Sequence, residues 1–286
     1  MKPKIKISVV TKTHNHGKFL ERLLEKIKTQ KNFNNYEIIV IDSSSKDNTL
    51  KIAKKYGCKI INIDPKDFTH AYTYNLGAKE SKGEIIIFAS VDIIPKSEFC
   101  FYNLIKHFKN KKVVGVFGKQ EPIEKFNTIE EFKTPKMFPE DPKKVVAFFS
   151  ASYGAIRREI WEKFKFPENI PYQYIGGEDQ IWAKDLLEKG YKIIYEPKSI
   201  VKHSHKYSWK IRLYHAHMIE KYGKEVKKWN EKVGILIYSK KDLVKYLIKK
   251  KAYKELIFDL LFVGILMRIV AFYGKIERLF KNSFSL

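Results

Sequence analysis

Cysteine is scarce in this sequence. Only Cys58 and Cys100 occur among 286 residues, and neither has a second cysteine nearby in the chain. So small a number disfavours a disulfide framework and a structural zinc site, and it indicates a reducing compartment. Hydrophobic residues make up 44% of the chain and aromatic residues 14%, so the chain can bury a core. A disordered tail, a collagen-like repeat and a disulfide-stapled mini-fold are excluded.

Acidic residues are few relative to basic ones. The chain has 56 Lys and Arg against 32 Asp and Glu, a formal charge of +24, and residues 200–286 hold 20 of the basic and 7 of the acidic residues. Such a surface attracts polyanions, whether nucleic acid, anionic lipid or phosphorylated small molecules. Because no helix-turn-helix, zinc-finger or RNA-binding signature is present, we expect no nucleic-acid partner. A basic nucleic-acid-binding protein is the alternative.

A long hydrophobic run without charges is also missing. Residues 256–273 are the most apolar, but they include Asp259 and Arg268, which are costly inside a bilayer. Lysines precede this segment at positions 245, 249, 250, 251 and 254. An apolar helix with a basic flank is typical of a peripheral anchor, so residues 240–281 are predicted to contact a membrane surface. A helix packed on the protein core explains the apolar part equally well.

The first residues of the chain contain no apolar signal segment. They run directly into a strand-like pattern, so we expect a cytoplasmic protein that is peripheral on the cytoplasmic face of the membrane.

Strand-like and helix-like patterns alternate in the first hundred residues. Strands are predicted at 5–11, 36–41, 59–63 and 84–89, with helices at 18–30 and from Asp47 to about 56. This order predicts βαβ units and a mostly parallel sheet, with ligands beyond the carboxyl ends of its strands. Further strands are predicted at 113–117, 145–156 and 191–195, around a polar stretch at 121–142. We expect one α/β domain over 1–207 and a helical, basic extension over 208–286.

Three acidic residues are candidates for chemistry. Asp92 follows a strand that is apolar throughout, at the edge where ligands bind, although it could simply cap the next turn. Glu178 and Asp179 stand behind two glycines at a predicted helix start, where one carboxylate suits the helix dipole. The second carboxylate is then available to take a proton from a substrate hydroxyl.

Two histidines share a spacing that suits a metal ion. His203 and His205 lie on one face of an extended chain, so both rings could reach one cation. A pair of surface histidines is the alternative and the commoner explanation for this spacing.

Further motifs accompany these residues along the chain. In order, the segments are 8–15 (SVVTKTHN), 42–49 (DSSSKDNT), 67–70 (DFTH), 74–78 (YNLGA), 88–95 (FASVDIIP), 117–122 (FGKQEP), 178–183 (EDQIWA), 195–197 (YEP) and 203–208 (HSHKYS). Taken in this order, they resemble family-2 glycosyltransferases of the GT-A fold, closest to their rhamnosyltransferase-like members. The resemblance spans about residues 5–207.

The resemblance implies a Rossmann-like sheet and an inverting, metal-dependent transferase. By similarity, Asp179 is the general base, Glu178 shapes the acceptor site and Asp92 holds Mg²⁺ or Mn²⁺ on the donor diphosphate. His203 or His205 completes the metal shell. The residues implied in donor binding are Thr11, Asn15, Asp42, Asn75, Ser90 and Gln120, with Asp42 on the base.

The implied substrates are a nucleotide-sugar donor and a glycan or lipid-pyrophosphate-linked acceptor. Of the donors, dTDP-rhamnose is expected first and a UDP-sugar second. Two positions depart from the family pattern, because Ser90 replaces the first acid of the Asp-x-Asp motif and Tyr74 replaces an Arg. A nucleotide-sugar-binding protein without transferase activity is the second alternative. A nucleotidyltransferase is disfavoured because residues 11–17 (TKTHNHG) make a poor phosphate loop.

Overall fold

The architecture comes from a computed structural model, which describes residues 6–123, 128–144, 148–169, 177–204 and 240–252. The chain divides into two compact units. The first consists of residues 1–121 and 138–203, and the second of residues 122–137 and 204–286. The helices of the described ranges are α1 (Gly17–Lys28), α2 (Thr49–Lys55), α3 (His70–Glu80), α4 (Cys100–Ile105), α5 (Thr128–Met137), α6 (Arg158–Lys163), α7 (Glu178–Glu188) and α8 (Lys240–Lys249).

The first unit is built on one mixed sheet with the strand order β3-β2-β1-β4-β7-β6-β8-β5. Its strands are β1 (Ile7–Thr13), β2 (Tyr36–Asp42), β3 (Lys59–Asn62), β4 (Ile85–Ala89), β5 (Ile94–Pro95), β6 (Val113–Glu121), β7 (Tyr153–Arg157) and β8 (Lys192–Lys202). The four strands β3, β2, β1 and β4 are parallel. Strand β7 runs antiparallel to both of its neighbours, so the parallel arrangement ends there.

Strand β1 divides its side chains between two faces with a period of two. Ile7 and Val9 belong to the core cluster that includes Leu20 and Leu24 of α1. Val10 lies on the opposite face, where it packs so closely on α3 that a Cβ at Gly77 would come within 2.3 Å of its Cγ1. The side chain of residue 12 follows Val10 onto this second face.

Three predicted strands differ in extent from those observed. The segment predicted at 145–156 is a strand only over Tyr153–Arg157; residues 148–152 form an irregular loop, and 145–147 lie outside the described residues. Strands β6 and β8 extend beyond their predictions, because they pair in parallel as far as Glu121 and Lys202. The polar stretch at 121–142, for which no element was predicted, contains helix α5.

The second unit pairs α5 with α8. The ring centroids of Phe132 and Tyr246 are 4.9 Å apart, and Leu247 is buried. Lys250 Nζ lies 3.8 Å from Glu131 Oε2. Most of the predicted extension, including the apolar segment at 256–273, lies outside the described residues. Within the described ranges, every helix is too short or too polar to span a bilayer.

Candidate active site

The carboxyl ends of β1 and β4 border a small pocket. Lys12 lines it from β1, Tyr74 from α3, and Ser90 from the residue after β4. Strand β1 continues two residues past its predicted end, so Lys12 is a strand residue rather than a loop residue. The backbone N–H of Ser90 donates to the Ser152 carbonyl at 2.8 Å, which joins this edge to the loop before β7.

Helix α7 begins with the two adjacent carboxylates. Gly177 precedes it with φ of 110°, a conformation that glycine adopts without strain. Asp179 accepts the backbone N–H of Ala151 at 2.9 Å and its neighbour Gln180's N–H at 2.8 Å. The Gln180 side chain in turn holds Phe148 N–H at 2.9 Å, so the helix start and the 148–152 loop are fastened together.

The two carboxylates have different surroundings. Burial raises the pKa of Glu178 to about 8, repulsion from Asp179 adds to the rise, and Lys12 opposes it. Oε2 of Glu178 is buried and has no hydrogen-bond partner among the described residues. Burial also raises the pKa of Asp179, but the two backbone N–H groups and Lys12 stabilise its charged form. The geometry therefore favours a proton on Glu178 and a charge on Asp179.

Lys12 is a buried basic residue whose pKa these carboxylates influence. Its Nζ donates to His70 Nδ1 at 2.5 Å and lies 4.0 Å from the centroid of the Tyr74 ring. Burial lowers the pKa of Lys12 to about 8, and the charges of Glu178, Asp179 and Asp92 oppose that fall, in this order. Three carboxylates from two distant parts of the sequence therefore act on one ammonium group.

Asp92 and His203 meet because of the shortest strand in the sheet. Strand β5 begins at Ile94, which pairs with Lys202 of β8, so the residues just outside this pairing become neighbours. His203 Nε2 lies 3.4 Å from Asp92 Oδ1. His203 Nδ1 lies 2.7 Å from Gln120 Oε1, and Gln120 Nε2 donates to Ser150 Oγ at 2.8 Å.

This contact fits a divalent cation. With its Nδ1–H donated to Gln120, a neutral His203 directs the Nε2 lone pair towards the Asp92 carboxylate. A hard cation that binds substrate phosphates needs only one or two protein carboxylates. Within the described ranges, no group of three or more His, Cys, Asp or Glu side chains comes together. His205 lies outside the described residues.

Asp42 and Asn15 brace two loops at the same sheet edge. Asp42 is fully buried, and its carboxylate accepts the backbone N–H of Ser45 at 2.8 Å. Asn15 receives Lys46 N–H on its Oδ1 at 2.7 Å and donates its own backbone N–H to Ser45 Oγ. Asp47 accepts the N–H of Thr49 at 3.0 Å, as its predicted position at the start of α2 requires. The Oγ1 of Thr11 is buried nearby without a partner among the described residues.

The side chains of two predicted donor-binding residues form hydrogen bonds within the protein. The Asn75 amide donates to the Phe166 carbonyl and to Glu168, and it accepts from Trp161 Nε1 and Phe166 N–H at 2.8 and 3.0 Å. These four bonds use its whole hydrogen-bonding capacity. Gln120 holds His203, as described above. In this geometry Asn75 and Gln120 hold other residues in place. It does not favour their predicted contact with the donor.

Lys12 and Tyr74 lie in the site but were missed as functional residues. The signal for Lys12 was a single basic residue inside a strand that is otherwise apolar or hydroxylic. It was overlooked because the strand was expected to end at residue 11. Tyr74 was noted only for replacing an arginine, and its signal is its position one turn after His70 on α3.

Comparison with known proteins identifies a family. The model of the family described as "Glycosyl transferase family 2" matches residues 8–164. The chain is 32% identical over 220 residues to the O-antigen chain rhamnosyltransferase RfbN of Salmonella typhimurium, an alignment that covers 71% of this chain and 68% of that protein. It is 31% identical over 185 residues to the O-antigen chain rhamnosyltransferase WbaN of Salmonella anatum, with 60% and 58% covered.

A solved structure shares the fold. The mannosyltransferase PcManGT from Pyrobaculum calidifontis, in complex with GDP-Man and Mn²⁺, aligns with a TM-score of 0.59 and 16% identity. The alignment covers 98% of this chain and 84% of that one. The predicted α/β fold of the GT-A type is therefore confirmed.

Proposed function

Because this chain belongs to glycosyl transferase family 2, as its motifs predicted, we propose that it is an inverting, metal-dependent glycosyltransferase. It moves a sugar from a nucleoside-diphosphate donor to a hydroxyl of a glycan or lipid-pyrophosphate-linked acceptor. The observation that carries this proposal is that one loop joins the two acidic sites. Asp179 accepts the backbone N–H of Ala151, and Gln120, which holds His203 beside Asp92, donates to Ser150 Oγ.

Asp179 is the general base of the proposed reaction. It takes the proton from the acceptor hydroxyl while that oxygen forms a bond to the anomeric carbon and the bond to the diphosphate oxygen breaks. Direct displacement of this kind inverts the anomeric centre. Two backbone N–H groups hold the Asp179 carboxylate in its charged form, which a base requires. Glu178, as a protonated carboxyl, is available to donate to a sugar or acceptor oxygen.

Asp92 and His203 are the protein ligands proposed for the divalent cation. When bound, Mg²⁺ or Mn²⁺ neutralises the charge that develops on the leaving diphosphate. Gln120 fixes the His203 ring so that Nε2 faces Asp92. A divalent cation in the reaction is supported by the complex of the fold relative PcManGT with GDP-Man and Mn²⁺.

The donor proposed first is dTDP-rhamnose, with a UDP-sugar second. Two relatives at 32% and 31% identity are rhamnosyltransferases, and both act on O-antigen chains by their names, which supports rhamnose and a glycan acceptor. The proposed place for the donor's diphosphate is beside Asp92 and His203, the proposed metal ligands.

A donor screen tests the proposal. The protein is incubated with a panel of nucleotide sugars, Mn²⁺ or Mg²⁺ and a lipid-pyrophosphate-linked saccharide, and released nucleoside diphosphate is measured. We expect release from one donor class, with Asp179→Asn abolishing transfer while donor binding persists. Asp185→Asn, which removes an exposed carboxylate of the same helix, should leave transfer intact. Normal transfer by Asp179→Asn would refute the base assignment.

We also propose that the basic second unit contacts the cytoplasmic surface of an anionic membrane. Ile248 is 50% exposed on α8, and exposed lysines flank it at positions 245, 249, 250 and 251. Each lysine near such a surface contributes about 1 kcal/mol of attraction. The full chain should float with phosphatidylglycerol vesicles and not with neutral phosphatidylcholine vesicles. Lys249→Glu/Lys251→Glu should weaken flotation more than Lys51→Glu/Lys54→Glu on α2; equal effects would contradict the proposal.

A further inference from the structure

The loop at residues 148–152 contacts both halves of the candidate site. The backbone N–H of Ala151 donates to Asp179 Oδ2 at 2.9 Å, and Ser150 Oγ accepts from the Gln120 amide at 2.8 Å. The loop itself is neither helix nor strand. Segments that make few backbone hydrogen bonds open readily, so the N–H of Ala151 keeps its direction only if other contacts hold the loop.

The two ends of this loop are held in different ways. At its C-terminal end, the Ser152 carbonyl accepts the backbone N–H of Ser90 at 2.8 Å. At its N-terminal end, the side chain of Gln180 binds the backbone of two consecutive residues. The N–H of Phe148 donates to Gln180 Oε1 at 2.9 Å, and Gln180 Nε2 donates to the Phe149 carbonyl. The N-terminal end therefore depends on a side chain, which a substitution can remove.

We propose that Gln180 is a positioning residue for the transfer reaction, because it holds the loop so that the Ala151 N–H stays on the carboxylate of Asp179. This inference rests on the proposed role of Asp179 as base. Gln180 directly follows Asp179 in the first turn of α7, so it ties the loop to the turn that carries the base. Its own backbone N–H donates to Asp179 Oδ1 at 2.8 Å, and both oxygens of the carboxylate are thus held.

Holding both oxygens has two consequences for a base. It fixes the direction in which the carboxylate faces the acceptor hydroxyl, and a misplacement of about 1 Å in an active site can cost about 100-fold in rate. It also stabilises the charged form, because a hydrogen bond to a carboxylate opposes its protonation. Burial raises the pKa of Asp179, and the N–H of Ala151 is one of the contacts that oppose this rise.

The ring of Phe149 keeps the loop beside α7 when these hydrogen bonds are removed. It is fully buried, and its centroid lies 5.3 Å from that of Trp182 on α7 and 6.1 Å from that of Phe117 on β6. Apolar packing is not directional, whereas a hydrogen bond depends on the angle at the N–H. Loss of the Gln180 amide should therefore leave the protein folded and let the Ala151 N–H turn away from the base.

The test is the pH profile of kcat for nucleoside-diphosphate release with the donor found by the screen. In Gln180→Met, whose side chain has a similar length and no amide, the plateau of kcat should fall about tenfold while KM for the donor is unchanged. The acid limb should move upward by about one pH unit, because Asp179 loses a hydrogen bond that favours its charge. The substitution keeps the other titratable groups that act on Asp179, namely Glu178 on α7, Lys12 on β1 and Tyr74 on α3.

Gln30→Met is the matched control. The Gln30 amide also bridges two backbone groups, because it donates to the Ser97 carbonyl and accepts the N–H of Phe101, both at 3.0 Å. Residues 97–101 include no proposed site residue, so Gln30→Met should lower stability without changing kcat or the acid limb. Gln180→Asn is the second test variant, because its amide is one methylene shorter and cannot bridge the same two groups. Thermal melting shows whether each variant is folded, and Gln180→Asn decides the question if Gln180→Met is not.

Two results would overturn the inference while leaving the proposed function intact. One is an acid limb that stays in place in the folded Gln180 variants, whatever their plateau, because a merely structural role would not move it. The other is an increased KM with an unchanged kcat, which would make Gln180 a substrate contact. Failure of the proposed function is distinguishable, because Asp179→Asn would then transfer sugar normally.

Discussion

His203 Nε2 lies 3.4 Å from Asp92 Oδ1, although 111 residues separate the two in sequence. The pairing of β5 with β8 brings them together, and Gln120 on β6 holds the far side of the imidazole. As the proposed ligands of a divalent cation, this carboxylate and this orientated imidazole would leave the remaining coordination positions to the phosphates of a bound donor.

Gln120→Ala should weaken cation binding even though Gln120 is not a proposed ligand of the cation. Loss of the Oε1 acceptor frees the His203 ring to rotate or to change tautomer, and losses of 10- to 100-fold are typical when such a supporting bond is removed. Mn²⁺ affinity in the presence of nucleoside diphosphate can be followed by electron paramagnetic resonance. Asn103→Ala, at a half-buried amide of α4, is the control. Equal Mn²⁺ affinity in Gln120→Ala and the wild type would contradict the supporting position of Gln120.

Asn75→Ala should reduce stability rather than donor affinity. The substitution leaves Trp161 Nε1, Phe166 N–H and the Phe166 carbonyl without their partner in a buried region. We expect the free energy of unfolding to fall by about 3 kcal/mol, measured by urea denaturation. Asn103→Ala, whose amide donates to Lys198 O at 3.3 Å, should cost much less. A stable Asn75→Ala protein with a greatly increased KM for the donor would restore the predicted donor contact.

Gly77→Ala should be destabilising even though alanine favours helices. A Cβ at this position would meet Val10 Cγ1 at 2.3 Å and Ile41 Cδ1 at 3.2 Å, so α3 must move away from the sheet. Overpacking of this kind costs about 1–3 kcal/mol. Val10→Ala in the same chain provides space, so a double-mutant cycle should give a favourable coupling free energy. Additive effects in that cycle would show that the close approach is unimportant.

The sequence predicted the parallel part of the sheet well, because β2 and β4 are apolar runs, β1 is rich in β-branched residues, and predicted helices follow β1 and β2. Residues 36–41 and 84–89 correspond closely to β2 and β4. The same periodicity found α1 through Leu20, Leu23, Leu24 and Ile27, all of which are buried. Such a strand or amphipathic helix can be predicted from its local pattern alone, without knowledge of distant contacts.

The parts that were missed depend on contacts between distant residues. Strand β5 has two residues, too few for any periodicity, yet its pairing brings His203 to Asp92. The amide of Asn75 is satisfied by residues 86 to 93 positions away, which no local pattern reveals. The sequence shows merely a lysine near a strand end, whereas the structure places its ammonium against His70 and Tyr74 of α3.

Glu178→Gln should change how stability depends on pH. The unfolded chain loses the Glu178 proton near the ordinary pKa of 4.5, whereas burial raises the pKa of the folded protein's carboxyl to about 8. Between these values the folded state binds one proton more, so stability falls as pH rises, and above them both states are deprotonated. Lys12 adds the opposite slope at higher pH, because its pKa is lowered from 10.5 to about 8.

Glutamine mimics the protonated carboxyl and cannot ionise. Glu178→Gln therefore removes the fall in stability that the wild type shows between pH 4.5 and pH 8. We expect the variant to match the wild type near pH 4.5 and to exceed its free energy of unfolding by about 4 kcal/mol at pH 8. Urea denaturation across this range measures the difference, and Asp185→Asn, in solvent on the same helix, should follow the wild type at every pH. The opposite outcome is a difference in the free energy of unfolding between Glu178→Gln and the wild type that stays constant from pH 4.5 to 8. It would mean that Glu178 is already ionised in the folded protein. The assignment of the proton to Glu178 and the charge to Asp179 would then be wrong.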